Sequence, residues 1–564
     1  MVLLIKENYG ISIFRAILLI IIISSAAACS SETVSNPVAQ ATAVTTASPE
    51  AAYIPTAIKP TVTAPPSPTP IPTQLSITAT PEPEADETVD EQSTLARSTG
   101  DGLYYVDTTG SDKKDRGSAD APWATISYAL KNVPDGSTVI VRPGTYMGKV
   151  NLRGTFAQGV TVRSEVPYQA RLRHHQTVVT GFRGQGITLE GFDIAHDGPG
   201  AGKYVIQIQD LRSQLPGADD PVSRITLRNN ILHDSYNNDI LKVNNGATDI
   251  IIEGNIFYNQ SGSDSHIDAN GVSDIIIQDN VFFNDFAESG RPNNNDTGSY
   301  IVIKDSLVGE DAYEGSQNIT VRRNVLLNWE GLKSNTFIVI GEDSVDYYQA
   351  HDVLIENNLM LGNSGNPIRA AFGVKGSRDV TFRHNTVIGD LPGQAYTMRL
   401  NTQENNKNNK NIYFYNNIWA DPTGTFGSNV DAAAGKFSDT EPTETESFIL
   451  NNNLYWNGGE DIPYDETQLV NYTDDLNGLV GDPLLGDQSH VVLPHWLQDE
   501  NRFADGSLTI AEVFKQLVTL YGTPAAGSVV IDAANPDYAA PEDILGNPRP
   551  GDSPDIGAVE YQNQ

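Results

Sequence analysis

Hydrophobic and polar positions alternate in short segments that recur along most of the chain. From residue 187 onward the pattern is apolar, any, apolar, any, any, asparagine, any, apolar. It reads ITLRNNIL, IIIEGNIF, IIIQDNVF, ITVRRNVL, VLIENNLM, VTFRHNTV, IYFYNNIW and FILNNNLY. Period-two alternation predicts β-strands, and one unit that recurs every ~20 to 50 residues predicts a solenoid.

An asparagine occupies the same position in each of these repeats, and ITLEGFDI is a first copy with Phe192 in that position. An asparagine repeated at an inward turn can form a ladder, in which each side-chain amide bonds the copies above and below it. We therefore predict an all-β fold, a single-stranded right-handed parallel β-helix. The asparagines are Asn230, Asn255, Asn280, Asn324, Asn358, Asn385, Asn417 and Asn453.

Both ends of the predicted solenoid carry a helical pattern. In APWATISYALKNVPDGSTVIVRPGTY, Trp123, Ile126 and Leu130 fall on one side of a short helix that precedes a strand. A helix there would cap the open end of the solenoid and block edge-to-edge growth. SLTIAEVFKQLVTLYG, residues 507–522, also has helical periodicity. The β-helix is predicted over 99–460, and C-terminal coils with a helical insertion and a closing segment over 461–564.

The first 98 residues read as an export signal and a tether. Lys6 and Arg15 precede an apolar run that ends in SSAAACSS, which resembles a bacterial lipoprotein signal over 1–29 with Cys29 as the lipidated residue. Residues 30–98 are rich in Pro, Thr, Ser and Ala and lack apolar periodicity, so they are predicted to form a disordered tether. We expect a secreted protein, anchored at the cell surface through its lipid.

The charge balance narrows the choice of partner. Asp and Glu number 71 against 36 Lys and Arg, which gives a net charge of −35. Such a surface is a poor partner for nucleic acid, and it accepts an acidic polysaccharide only through a cation or a local basic patch. The single cysteine excludes a disulfide within the chain. A monomer is expected.

Ligand chemistry is expected on the outward strand that precedes each asparagine turn. When the repeats are aligned, charged residues fall into one predicted column, where adjacent side chains would lie ~4.8 Å apart. Arg369 lies a few rungs along the same groove. With it, Lys242, Lys375 and Arg399 are candidates for binding the carboxylates of a polymer. The predicted column is Lys242, Asp268, Lys304, Gly341, Lys375 and Arg399.

Three carboxylates gather where two of these rungs begin. Asp264 and Asp268 flank the start of one rung, and Asp239 begins the rung before it. Three carboxylates from adjacent rungs suit Ca²⁺, a hard cation that takes several oxygen ligands in flexible geometry. A cluster of solvated turn residues is the alternative.

Two resemblances sharpen this picture. YYVDTTGSD…APWATISYAL…GSTVIVRPGTY and ILGNPRPGDSPDIGAVEY resemble the opening and closing segments of the pectin-lyase-like superfamily. The acidic cluster resembles that of polysaccharide lyase family nine, the pectate lyases with a β-helix. The resemblance implies that Asp239, Asp264 and Asp268 bind calcium and that Lys304 is the catalytic base. Ser265 stands where that family has a further aspartate.

The implied chemistry is β-elimination on a uronate, in which a base removes the proton next to the carboxylate and Ca²⁺ stabilises the charge that develops. Lys304 can act as that base only if its pKa falls well below the usual ~10.4. A glycan-binding module, a glycoside hydrolase and a uronate epimerase on the same fold remain alternatives.

Overall fold

The computed structural model describes residues 102–212, 221–292, 294–306, 314–390, 395–424 and 435–562. The predicted signal with Cys29 and the predicted tether lie outside the described residues. Within the described part of the chain, no helix is long and apolar enough to cross a membrane.

The described chain is built almost entirely from short strands. The first half contains β1 (Leu103–Val106), β2 (Thr138–Val141), β3 (Gly144–Met147), β4 (Val150–Ser164), β5 (Ala170–His174), β6 (Val179–Glu190), β7 (Asp193–His196), β8 (Ile206–Gln209), β9 (Ser223–Arg228), β10 (Ile231–Ser235), β11 (Leu241–Asn244), β12 (Thr248–Glu253), β13 (Ile256–Gln260), β14 (Ile267–Asn270), β15 (Ser273–Gln278), β16 (Val281–Phe283) and β17 (Ile301–Lys304). The second half contains β18 (Ser316–Arg322), β19 (Val325–Leu326), β20 (Thr336–Ile340), β21 (Ala350–Glu356), β22 (Leu359–Gly362), β23 (Ala370–Lys375), β24 (Arg378–Arg383), β25 (Thr386–Gly389), β26 (Ala395–Asn401), β27 (Lys410–Tyr415), β28 (Ile418–Asp421), β29 (Lys436–Asp439), β30 (Phe448–Asn451), β31 (Leu454–Asn457), β32 (Leu479–Val480), β33 (Trp496–Leu497) and β34 (Arg502–Phe503). The helices are α1 (Ile126–Asn132) and α2 (Ile510–Leu517), with a π-helical turn at Val518–Gly522 and 3₁₀ turns at Tyr472–Asp474 and Pro536–Tyr538.

The strands stack in three parallel series, one strand from each series per coil. The series β8, β11, β14, β17, β20, β23, β26 and β29 is called the groove sheet here. The series from β9 to β30 lies beside it. At the N-terminal end the long strand β6 pairs with both series, through β8 and β9, and the long strand β4 pairs with β6. The third series runs from β3 to β32. This arrangement confirms the predicted parallel β-helix.

The predicted asparagine ladder runs through the core. All eight asparagines are fully buried. Each backbone N–H and each side-chain amide of Asn230 to Asn417 donates to the side-chain oxygen of the next asparagine at 2.9–3.1 Å. Phe192 donates its N–H to Asn230 at the first step, and Asn453 donates to the Asp475 carboxylate at the last. The ladder thus ends on a charged acceptor.

The turn beside the ladder needs one residue with left-handed backbone in each coil. The left-handed backbone falls on the residue before each ladder asparagine, for example Asn229 (φ 53°), Arg323 (φ 51°) and His384 (φ 51°). The ladder asparagine itself is therefore kept for hydrogen bonding, while its neighbour makes the turn.

The two helices cover apolar surface in different places: α1 covers the N-terminal end, as predicted, whereas α2 packs along the third series. In α1, Thr125 caps the N-terminus through the Tyr128 N–H, and Ile126 and Leu130 are buried. In α2, Thr509 and Glu512 form a capping box, a reciprocal pair that satisfies the first free N–H groups. The apolar side of α2 packs in one cluster with Leu359, Ile388 and other outward residues of the third series. The C-terminal segment thereby covers that series, while the groove sheet keeps its charged outward face.

Candidate functional site

The outward face of the groove sheet carries two columns of polar side chains. Leu241, Val243, Ile267 and Ala269 alternate with these columns and are buried in the core. In the first column Lys242 pairs with Asp268, which pairs with Val302. Further along, the first column contains Gly373, Arg399 and Asp439. The second column contains Asn244, Asn270 and Lys304, then Lys375 beside Asn401.

The prediction of one shared column was therefore wrong. Lys242, Asp268 and Arg399 lie in the first column, whereas Lys304 and Lys375 lie two residues further along their strands, in the second. Both columns face outward, because side chains two residues apart share a face of a strand.

Asp268 is the centre of the predicted acidic cluster. Its Oδ2 contacts the Lys242 Nζ and lies 3.8 Å from the Lys304 Nζ. Burial opposes ionisation of Asp268, but the two ammonium groups outweigh it and hold the pKa of the carboxyl below its usual value. Its Oδ1 is buried and has no hydrogen-bond partner among the described residues.

Asp239 and Asp264 approach the same centre from the ends of neighbouring coils. Asp239 is buried just before β11, and its Oδ1 accepts the Ser265 N–H at 2.8 Å. Burial, followed by the charge of Asp268, raises the pKa of Asp239 well above its ordinary value. The same two causes raise the pKa of Asp264 to about 6. The structure thus brings the three predicted carboxyls into one electrostatic cluster.

These residues do not fit a calcium ion as they are arranged. Among the described residues, no group of three or more His, Cys, Asp or Glu side chains is placed to hold a metal. The cation that touches Asp268 is the Lys242 ammonium. Ser265 adds a backbone N–H donor where a further carboxylate would have served a metal. Calcium remains an untested prediction.

Lys304, the predicted base, is surrounded by carboxylates. Its Nζ lies 2.5 Å from Glu342 Oε2 and 3.2 Å from Asp343 Oδ2, in addition to Asp268. Burial alone would lower the pKa of Lys304, but these three carboxylates raise it well above the ordinary lysine value. In this arrangement Lys304 is a held ammonium rather than a free amine.

Sequence reasoning missed Glu342 and Asp343. Both follow the end of β20, and their N–H groups donate to Gln349 Oε1 at 3.0 and 2.9 Å, which fixes the turn. The sequence does contain a signal for them. The groove strand FIVI is followed by GED, and the preceding groove strand YIVI is followed by KDS, so Gly341 aligns with Lys304 and two acidic residues come next. Acidic residues that follow the next strand of the groove sheet can therefore be expected to lie beside Lys304.

A polar cleft opens beside this network, between the two columns. It is called the groove cleft here. Gly373, which pairs with Arg399, leaves this part of the first column without a side chain. A Cβ at Gly373 would lie 3.2 Å from Thr336 Oγ1. The cleft is lined by Ser299, Ser334, Asn335, Thr336, Val339, Glu342, Gly373, Lys375, Arg399 and Asn401.

Lys375 stands apart from the other cations of the groove sheet. No carboxylate of the described residues lies within ion-pairing distance of it. Burial and then the positive charge of Arg399 lower the pKa of Lys375, and they outweigh the opposing charges of Glu342 and Asp343. Of the predicted binding residues, Lys375 is therefore the one with an available amine.

The two predicted binding arginines share one carboxylate. Arg369 Nε lies 2.8 Å from Asp439 Oδ2, and Arg399 Nε lies 2.8 Å from the same oxygen. The third predicted binding residue, Lys242, lies elsewhere on the groove sheet, where its ammonium pairs with Asp268.

Two polar atoms of the cleft are buried without a partner among the described residues. They are the Ser299 Oγ and the Asn401 Oδ1, and both side chains are more than nine-tenths buried. Buried polar atoms are normally hydrogen-bonded, because leaving one unpaired costs free energy. Groups of this kind that line a cleft are suited to bind the hydroxyls of a ligand.

Comparison with known proteins gives a similarity in fold. No family model and no curated protein matches the chain. Solved structures that resemble it include pectate lyase Pel9A, at 14% identity and a TM-score of 0.46, which covers 82% of this chain and 96% of that one. A rhamnogalacturonan lyase shares 14% identity at a TM-score of 0.38, covering 67% and 86%. The catalytic domain of a GH87 α-1,3-glucanase shares 12% identity at 0.42, covering 70% of each chain.

Proposed function

We propose that this protein is a polysaccharide lyase that cleaves acidic, uronate-containing glycans by β-elimination in the groove cleft. The observation that carries the proposal is the lining of that cleft. Lys375 and Arg399 line it together with the unpaired Ser299 Oγ and Asn401 Oδ1. A uronate offers a carboxylate to the Arg399 guanidinium and hydroxyls to the two unpaired atoms.

The cleft also reconciles an anionic ligand with an acidic chain. A net charge of −35 repels a polyanion at long range. Within the cleft, Lys375 has no carboxylate within ion-pairing distance among the described residues, and Arg399 belongs to the same lining. This basic patch is local, as an acidic protein that binds an acidic polymer requires.

We assign proton abstraction to Lys375. A base in this reaction must be a neutral amine, and the lowered pKa of Lys375 enlarges its neutral fraction near physiological pH. The amine takes the proton from C5 of the uronate, a double bond forms between C4 and C5, and the C4–O bond breaks. The electron pair leaves with the glycosidic oxygen, which takes a proton from water. Lys304, the base implied by the family resemblance, is the alternative.

The proposal is tested by incubating the purified protein with a panel of acidic and neutral polysaccharides, with and without chelator. A lyase produces unsaturated ends that absorb ultraviolet light, so we expect absorbance to rise on at least one uronate polymer and on no neutral one. New reducing ends without that absorbance would instead identify a hydrolase, with Asp264 and Asp268 as candidate paired acids. Pull-down of the polymer without any cleavage would identify a binding module, and inverted uronates in uncut polymer an epimerase.

We also propose that the chain is exported and held at the cell surface through a lipid on Cys29. The support is the sequence of the signal, since the residue lies outside the described part of the chain. Cells that express the protein should incorporate labelled palmitate into it, and Cys29→Ser should abolish the label. Ser30→Ala is the matched control. Label retained in Cys29→Ser would contradict the assignment.

A further inference from the structure

Lys242 occupies an unusual position for a lysine on a β-solenoid. It projects outward from β11, yet its side chain is only 11% exposed, and that of its partner Asp268 is 8% exposed. Long cationic side chains on an outward face ordinarily extend into water. Lys242 instead turns its ammonium onto the Asp268 carboxylate, between residues contributed by adjacent coils.

The surrounding charges show why an ammonium is needed there. The charges of Asp239, Asp264 and Asp268 influence one another's pKa values. Each of the three carboxyls also interacts electrostatically with the Lys242 ammonium. Lys304 cannot neutralise them alone, because it lies 3.8 Å from Asp268 and is also shared with Glu342 and Asp343. Removing the Lys242 charge would leave buried carboxylates without compensation, which is strongly unfavourable.

Asp268 presents a second, independent feature. Its Oδ1 is buried and has no partner among the described residues, whereas its Oδ2 is taken by Lys242. The cluster therefore holds an unused carboxylate oxygen beside an occupied one. Oxygen ligands of this type are those that Ca²⁺ accepts, with water completing a flexible shell.

We propose that Lys242 is the resident cation of this acidic cluster, and that it holds the place a divalent ion would take among Asp239, Asp264 and Asp268. The wild-type cluster then binds no Ca²⁺, and a neutral residue at position 242 creates a Ca²⁺ site. The inference concerns binding alone and does not rest on the proposed enzymatic function.

The test measures Ca²⁺ binding to the full chain, purified in detergent, by calorimetry and by thermal unfolding with and without CaCl₂. Lys242→Met and Lys242→Gln remove the charge, and Lys242→Arg retains it. We expect wild type and Lys242→Arg to bind Ca²⁺ at this site no more tightly than ~1 mM, the weak end of extracellular sites. The two neutral variants should bind at least ~10-fold more tightly. Ca²⁺ should also raise their unfolding temperature, and adding Asp264→Asn should abolish both effects.

Three results would overturn the inference. One is Ca²⁺ binding to wild type that is tighter than ~1 mM and that Asp264→Asn removes. Another is the absence of a gain in both neutral variants. The third is an equal gain in Lys242→Arg. A neutral variant that fails to fold without Ca²⁺ but folds when Ca²⁺ is present supports the inference, since a purely structural lysine would not be replaced by an ion.

Discussion

Lys375→Met is expected to lower the rate of elimination on an acidic glycan by at least ~100-fold, the contribution that a positioned general base typically makes. Methionine keeps the length of the side chain and removes the amine. Because Lys375 has no ion pair among the described residues, its removal should leave the fold intact. The initial rate of ultraviolet absorbance, with kcat and KM determined separately, measures the effect.

Lys375→Arg separates a base from a carboxylate-binding group. Arginine restores the positive charge but stays protonated at neutral pH, so kcat should remain low even if KM recovers. In wild type, kcat/KM should rise with pH, because the base must lose its proton. It should level off below the ordinary lysine pKa of ~10.4, since burial and Arg399 lower that of Lys375.

Lys410→Met provides the control, since Lys410 is an exposed lysine of the neighbouring series whose partner is Glu446. It should retain full activity. Substantial kcat in Lys375→Arg, together with its loss in Lys304→Met, would return the role of base to Lys304.

Asn280→Ala is expected to lower the free energy of unfolding by about 3 to 5 kcal/mol, because several buried groups lose their partners at once. The side-chain oxygen of Asn280 accepts two hydrogen bonds from Asn255, and its amide donates to Ile252 and Asn324. Alanine leaves these buried groups unpaired and adds a small cavity.

Thermal and urea unfolding measure this effect, with Asn405→Ala as the matched control. Asn405 is exposed and lies outside the ladder, so its substitution should change stability by less than ~0.5 kcal/mol. A loss below ~1 kcal/mol in Asn280→Ala would show that water or relaxation replaces the ladder bonds.

The fold could be predicted because each coil repeats the same physical requirement. An inward apolar pair and a buried amide recur in every copy, and the ladder places Phe192 and all eight asparagines as the alignment predicted. The register of the outward columns was less certain. A slip of one residue would have turned apolar side chains outward, whereas a slip of two, as occurred at Lys304, preserves the alternation.

The chemistry of the site depends on contacts that alternation does not encode. Glu342 and Asp343 lie in a turn, where side chains follow no fixed period. The ion pair of Lys242 with Asp268 joins two coils, and the alternation of apolar and polar positions does not indicate it. The groove cleft exists because Gly373 carries no side chain between Val339 and Arg399.

The asparagine ladder has a consequence for how such a protein changes in evolution. Each amide meets only the coil before it and the coil after it, and the last one is closed by Asp475. A duplication or loss of one complete coil would therefore restore the same bonds at the new junction. The length of the groove sheet can then change in whole steps, with the terminal carboxylate and the helical cap kept as fixed ends.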